Sequence, residues 1–367
     1  GKNLIFIVAE GFNQIAVQKD ITPTLYKLAN ESFVFENFYT PHMYSTIGGE
    51  MQAMLGLFPT QENINYWHQK QPFFPYAIGN AFAKEGYTAK AYHNWTYTYY
   101  NREKTRPTIG FSDYLGKGNG LEKLMNCGTW PTSDLDLING ISDQIIIPGQ
   151  KNVTYILTVS GHMLYTWNDN YISYKNKKLV ENLPYSENIK GYLASQIELD
   201  KALEQLIKNL TEKNELENTV IAVVGDHYPY CLSLDEINEL SDYKRDKTEV
   251  HRSSFILWNS KMPKTVITKT AQQIDTLPTI LNLFGIEYDS RLIIGSDILS
   301  EKEGLAVFSW SSWITDKGRY QGGSFKPNEG AEIPQDYVKK INSIVSNKLT
   351  MSRLIMEKDY YNILLNR

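Results

Sequence analysis

No run of roughly 20 consecutive apolar residues occurs in the 367-residue chain, so no part of it reads as a membrane-spanning helix. The start carries no signal-peptide pattern either. Cysteine is scarce: Cys127 and Cys231 are the only two. Their spacing excludes a cysteine zinc site and leaves open two free thiols or one bridge. A basic excess is missing as well. Lys and Arg number 37 against 41 Asp and Glu, for a net charge of −4, so the chain does not present a nucleic-acid surface. Repeats and low-complexity tracts are absent.

What remains has the composition of an ordinary soluble domain, 42% hydrophobic and 21% charged. The length suits one large α/β domain with a C-terminal appendage. Aromatics are plentiful, with 25 Tyr and 7 Trp. Their flat apolar area and polar tips place part of that excess at a cleft.

Short apolar runs alternate with helical patterns, which predicts a sheet covered by helices. Strands are expected at Leu4–Val8, Phe33–Phe38, Thr88–Tyr92, Thr154–Val159, Val220–Val224, Phe255–Trp258 and Leu305–Phe308. Several are apolar throughout, as in parallel strands buried on both faces. Thr22-Pro23 reads as an N-cap with proline at the first helical position. Amphipathic helices are expected over Ile189–Leu210 and Ala271–Phe284, the latter stopped by Gly285. The Gln335–Asn366 stretch reads as helix with a break near Ser346-Asn347. Gly116–Ser133 is Gly-rich and irregular, a surface excursion suited to a lid.

Three places put metal-ligand residue types beside a strand end or a helix start. Glu10 follows the first strand, Asp226-His227 follows Val220–Val224, and Thr46 precedes the helical run Met51–Leu57. In open α/β sheets the ligand sits outside the carboxyl ends of the strands. Two carboxylates, an imidazole and a hydroxyl form a mixed oxygen and nitrogen shell for manganese, magnesium or zinc. A hydroxyl in such a shell ionises more easily and becomes a nucleophile near neutral pH. A helix start beside Thr46 offers N–H groups to a phosphate oxygen.

In this order the set resembles the extracellular catalytic domain of the lipoteichoic acid synthase and phosphoglycerol transferase family. That family belongs to the sulfatase-like branch of the alkaline phosphatase superfamily. The likeness runs through Asn3–Glu10, Pro23–Tyr39, Thr46 with Glu50, Tyr99-Tyr100-Asn101-Arg102, Ser160-Gly161-His162, Gly225-Asp226-His227, Ile274–Ile280 and Ser312–Asp316. It implies a central, mostly parallel sheet between helices, with a catalytic domain over residues 1–300 and a smaller strand-and-helix part over 301–367. It implies one divalent metal, manganese before magnesium or zinc, on Glu10, Thr46, Asp226 and His227. It also implies Thr46 as nucleophile, and Arg102, His93, Tyr100 and His162 on the substrate. Tyr100 stands where the family has Trp, and Met163 where it often has a second His, so the headgroup pocket departs from the family pattern.

The activity implied is transfer of glycerol phosphate from a phosphatidylglycerol-type membrane lipid, through a phosphothreonine, to a glycolipid or polymer acceptor. The alternatives are a phosphoethanolamine transferase, a phosphodiesterase or phosphatase, a sulfatase, or a non-catalytic binding domain. Thr46-Ile47-Gly48-Gly49 lacks the Cys/Ser-x-Pro-x-Arg setting of a sulfatase nucleophile. The resemblance further implies N-terminal membrane helices ahead of this segment and a catalytic domain outside the cell. Disulfides persist there, so a Cys127–Cys231 bridge is expected at the cleft mouth. His251 reads as structural, Asp275 as paired locally, and His42 and His68 have no recognisable context.

Overall fold

A computed structural model describes residues 1–365. In chain order the strands are β1 (Asn3–Ala9), β2 (Phe33–Phe35), β3 (Phe38–Tyr39), β4 (Thr88–Thr96), β5 (Asp113–Lys117) and β6 (Asn152–Leu157). They continue as β7 (Thr219–Gly225), β8 (Phe255–Trp258), β9 (Thr265–Ile267), β10 (Ala271–Gln272), β11 (Leu305–Ser309), β12 (Ser312–Thr315), β13 (Gly318–Gln321) and β14 (Ser324–Pro327). Eight of them form one sheet in the order β5-β4-β6-β1-β7-β8-β2-β9. The pairs from β5 to β7 are parallel, and only β8 runs against the rest. The fold is therefore the expected mixed α/β type, a large, mostly parallel sheet between helices.

β1 is buried along its whole length. Because side chains alternate across a strand, Leu4, Phe6 and Val8 enter one core while Ile5, Ile7 and Ala9 enter the other. β7 divides in the same way, with Val220, Ala222 and Val224 opposite Ile221 and Val223. A continuous apolar strand in the sequence is thus the mark of a sheet with helices on both faces. The long helix Glu187–Glu212 covers one face, begun by Ser186, whose hydroxyl accepts from Ile189 N–H at 3.3 Å.

A four-stranded antiparallel sheet, β11-β12-β13-β14, follows the large one. Its Trp313 is fully buried with Tyr337, Ile341 and Val345 of helix Tyr337–Glu357, and with Phe58 and Ile274 of the main body.

Several boundaries differ from expectation. The chain over Phe33–Phe38 leaves the large sheet after Phe35. Asn37 then donates its side-chain amide to Thr268 C=O, and β3 pairs instead with β10. That pairing draws Ala271-Gln272 out of the expected helix. A 3-10 turn, Gln273–Asp275, follows, and the helix itself spans Thr276–Leu283 with Gly285 just beyond it at φ +66°. Thr22 does not cap; its hydroxyl donates to Ala16 C=O, and Pro23 alone marks the start. No break occurs at Ser346-Asn347. The buried stripe Ile341, Val345, Ser352 and Ile355 carries the helix through to Glu357, and the interruption falls at Lys358-Asp359. The expected end at Asn366 lies outside the described residues. Gly116–Ser133 is largely irregular, with one 3-10 turn at Leu121–Lys123.

The expected Cys127–Cys231 bridge is absent, and both thiols are free. Cys127 is buried in the apolar core shared with Leu121 and Met125, while Cys231 turns towards the thioether of Met163. Burial raises both thiols above their ordinary range, which keeps them protonated and slow to react. Unfolded without reductant, the chain is expected to titrate two thiols per molecule with a thiol reagent. A count of zero would restore the bridge.

Candidate active site

Each expected site residue stands at the carboxyl end of a parallel strand or at the start of a helix facing that end. Glu10 follows β1, His93 lies in the second half of β4, His162 follows β6, and Asp226-His227 follows β7. The helix Ser45–Leu55 approaches from the side and brings Thr46 at its second position. Tyr44 and Ser45, which lead into it, sit in the left-handed region at φ 59° and 54°. That conformation costs about 1–2 kcal/mol for a residue with a side chain, so the surroundings must hold the entry in place.

Close approach explains two glycines. An added Cβ at Gly49 would stand 2.2 Å from the carbonyl oxygen of Asp226, and one at Gly161 would stand 2.0 Å from that of Glu10. The helix Ser45–Leu55 and the loop after β6 therefore rest directly on the backbones of Asp226 and Glu10.

Glu10, Asp226 and His227 are all buried, and one donor atom from each lies within 4.8 Å of the others. Thr46 Oγ1 donates to Glu10 Oε2 at 3.3 Å. Asp226 Oδ1 accepts from Gly11 N–H and His227 N–H at 2.9 and 2.8 Å, which fixes the carboxylate and leaves Oδ2 free. His227 Nδ1 donates to Tyr228 C=O at 2.9 Å, so Nε2 carries the lone pair. Nε2 stands 3.1 Å from Asp226 Oδ2 and 3.4 Å from Glu10 Oε1, yet neither it nor Oδ2 has a hydrogen-bond partner. Carboxylate oxygens and an imidazole nitrogen converge there. Burial, and then the Asp226 carboxylate, push the Glu10 carboxyl well above the usual range. Buried acceptors without donors are costly unless a cation joins them, and this donor set fits a divalent one.

Beside the cluster lies a cleft of about 440 Å3 whose lining includes Glu10, Thr46, His93, Tyr100, Arg102 and His162. All the expected site residues except Asp226 and His227 line it, and those two adjoin it through Glu10. Trp95, Tyr99, Trp130 and Tyr230 add the aromatic walls expected from composition, and Trp130 comes from the irregular Gly116–Ser133 stretch. His162 Nδ1 donates to Met163 C=O at 2.6 Å, and burial lowers its pKa. His93 donates through Nδ1 to Leu157 C=O at 3.0 Å; burial and the adjacent Arg102 push it down to about 3. Its neutral Nε2 faces Arg102 Nη1 at 3.4 Å. His42, which had no context in the sequence, stacks on Tyr230 with ring centroids 4.8 Å apart and meets the edge of His227. His251 Nδ1 accepts from the His42 N–H at 3.3 Å and lies outside the metal-ligand cluster.

Sequence reasoning missed the support beneath the cleft. Glu50, one helical turn after Thr46, is fully buried. Arg102 donates to Glu50 Oε2 through Nε at 3.0 Å and Nη2 at 2.8 Å. Arg106 Nη2 and Tyr155 OH, the latter at 2.7 Å, both donate to Oε1. Burial alone would raise the Glu50 carboxyl, but the two guanidiniums hold it down at about 2. The signal was present in the sequence, since Arg102 and Arg106 are four apart and share a helix face.

Removing one partner of a buried ion network leaves the other charges uncompensated. Glu50→Gln is therefore expected to lower unfolding free energy by about 3–5 kcal/mol, read as a fall in the urea midpoint. A carboxyl held below its ordinary 4.5 adds stability above that pH and loses it as pH falls towards about 2, so the variant should lack this acid-sensitive component. Unchanged stability would contradict the network's role.

A sequence profile described as sulfatase matches residues 2–286. Lipoteichoic acid synthase of Staphylococcus aureus is 24% identical over 98% of this chain, and the chain spans only 58% of that relative's length. Among solved structures, lipoteichoic acid synthase LtaP from Listeria monocytogenes superposes with a TM-score of 0.78 at 22% identity, over 97% of this chain and 92% of that one. An alkaline phosphatase superfamily protein from Vibrio parahaemolyticus gives 0.73 at 16% identity, over 98% and 88%. The Streptococcus pyogenes phosphoglycerol transferase GacH, solved with sn-glycerol-1-phosphate, gives 0.57 at 17% identity, over 77% and 74%. With the profile covering most of the chain and the fold shared across these structures, the chain belongs to the sulfatase family.

Proposed function

We propose that this domain moves glycerol phosphate from a phosphatidylglycerol-type lipid to an extracellular glycolipid or polymer acceptor, by way of a phosphothreonine at Thr46. The observation that carries the reading is the Thr46 hydroxyl. It stands at a helix start, bonded to Glu10, beside two buried acceptors that lack partners, and it opens into a cleft. The names of the staphylococcal and streptococcal relatives point to the same chemistry. The missing Cys/Ser-x-Pro-x-Arg setting argues against sulfate ester cleavage despite the family name.

Glu10, Thr46, Asp226 and His227 would hold a divalent cation, manganese before magnesium or zinc because three of the four donors are oxygen. Such an ion supplies a lower pKa for the threonine hydroxyl and neutralises charge on the phosphoryl oxygens. The Thr46 oxygen forms its bond to phosphorus while the bond from phosphorus to the diacylglycerol oxygen breaks. His162, neutral with its Nδ1–H on Met163 C=O, takes up the Thr46 proton at Nε2 and passes it to the leaving oxygen. In the second half the acceptor hydroxyl gives its proton to His162 Nε2, which returns it to the Thr46 oxygen as the phosphoryl group moves to the acceptor. Arg102 commits Nε and Nη2 to Glu50, while Nη1 makes only long contacts, 3.4 Å to both Tyr99 C=O and His93 Nε2, which a phosphoryl oxygen would replace. Tyr100, whose ring lies 5.2 Å from the Arg102 guanidinium carbon, walls the headgroup pocket with His93.

No helix among the described residues is long and apolar enough to cross a membrane. We assign membrane attachment to helices N-terminal to this segment.

Thr46→Ala removes both the covalent acceptor and one metal ligand. Its turnover of a phosphatidylglycerol analogue is expected to fall to background at an unchanged melting temperature. Retained turnover would overturn the assignment.

Elemental analysis of manganese-loaded protein is expected to give one ion per chain. Manganese should raise the melting temperature of the parent and leave that of Asp226→Asn with His227→Ala unmoved, because only a folded site is stabilised by its ligand. Two tightly held ions, or an equal rise in the variant, would contradict the four-ligand site.

A further inference from the structure

A second enclosed cavity lies between the small sheet, the helix Tyr337–Glu357 and the Gln273–Asp275 turn, with a volume of about 270 Å3. Four lysines line it: Lys269, Lys302, Lys340 and Lys348. Three carboxylates share the lining, those of Asp275, Asp297 and Glu303. Each carboxylate takes its hydrogen bonds from neutral donors and not from the lysines. Asp275 accepts from Gln272 N–H at 3.0 Å and Ser296 N–H at 2.7 Å. Asp297 accepts from Leu299 N–H at 2.9 Å and from the Asn282 side chain at 2.7 Å, and Glu303 accepts from Tyr337 OH at 2.5 Å.

The ammonium groups make no direct ion pair with those carboxylates. Lys269 donates to Ser300 C=O and Lys348 to Ile294 C=O, both neutral acceptors. Lys302 and Lys340 stand exposed at the rim. Among the described residues the ion pairs join other lysines and arginines to their carboxylates, and none involves these four. Burial and the neighbouring Lys302 disfavour the charge on Lys348, while the Asp275 carboxylate favours it. The walls between the lysines are apolar, including Ile298, Ile341 and Ile344.

We propose that this cavity binds a small phosphate-type anion, either free phosphate or a phosphate ester with a compact organic body. Point charges on flexible stems can turn onto a multiply charged phosphate oxygen cluster, which they suit better than the planar fork of a single carboxylate. The volume is that of roughly nine waters at about 30 Å3 each, enough for a phosphate ester of glycerol size and too little for a sugar chain or a lipid tail. The isoleucine walls accept the carbon skeleton of such an ester while the lysines hold its oxygens. The site shares no lining residue with the Thr46 cleft. The proposal therefore stands apart from the reaction assigned to that cleft.

The test is isothermal titration of glycerol phosphate, inorganic phosphate and neutral glycerol into the parent chain and into Lys302→Gln with Lys340→Gln. Both positions are exposed, so the variant is expected to keep its melting temperature and its Thr46-dependent turnover. The parent should bind both phosphates at a site whose affinity the double variant weakens about tenfold or more, and which rising salt also weakens. Tighter binding of the glycerol ester than of inorganic phosphate would identify an ester as the ligand, and equal binding would identify free phosphate. Identical titrations of parent and variant would overturn the proposal, as would glycerol binding as well as its phosphate. Thr46→Ala should leave this site untouched, which separates its failure from failure of the catalytic reading.

Discussion

The buried carboxylate of Glu50 ties together the parts of the molecule that the reactive centre needs. It sits one turn after Thr46 on the same helix and binds two guanidiniums and a phenol. Tyr155 belongs to β6 at the middle of the large sheet, and Arg102 and Arg106 belong to the helix that follows β4. One side chain thus pins the helix Ser45–Leu55 to the sheet beneath it and to the segment that carries Tyr100 and Arg102. The interaction holds because the buried carboxylate has both oxygens bonded. The anion meets two cations, and Tyr155 OH completes the shell of Oε1. The same bonds take Arg102 Nε and Nη2, and Nη1 reaches Tyr99 C=O and His93 Nε2 at 3.4 Å.

The neighbouring cluster has the opposite character. Glu10, Asp226 and His227 bring donor atoms within 4.8 Å of one another, and Thr46 donates to Glu10. Thr46 and Glu50, one from each arrangement, share the helix Ser45–Leu55. The satisfied network supplies the rigidity on which the unsatisfied cluster depends. A fold tolerates buried acceptors that lack donors only where their positions are imposed from outside, here by Gly11 and His227 N–H groups and by the Tyr228 carbonyl. Gly49 and Gly161 permit the close contacts that set the spacing.

Much of the site was readable because its residues follow strands, and strand ends in a parallel sheet share one edge. The run Leu4–Val8 and the run Val220–Val224 each end on a ligand-type residue, so pairing the two strands side by side brings Glu10 to Asp226. Thr46 was readable from its place before a helix. Less local features were not. The Glu50 network needs Tyr155, which lies 105 positions further along the chain. His42 takes its place from the stacking of Tyr230 and the edge of His227, and nothing next to it in the chain announces either. The break between β2 and β3 and the loss of the first turn of the expected helix at Ala271 have a common cause. Two short strands far apart in sequence found each other, and that pairing outweighed local propensity.

Hydrophobic periodicity and motif order by themselves determined the α/β class, the central strands and the residues at their carboxyl ends, because those depend on local spacing and on one rule of sheet topology. Tertiary structure decided what the charges do. It placed Glu50 between two arginines, sent Cys127 into the core and Cys231 towards Met163, and gathered four lysines around a cavity beside carboxylates bound elsewhere. The reason is physical: the energy of a charge or a thiol depends on burial and on partners within a few ångströms, and a linear sequence lists neither.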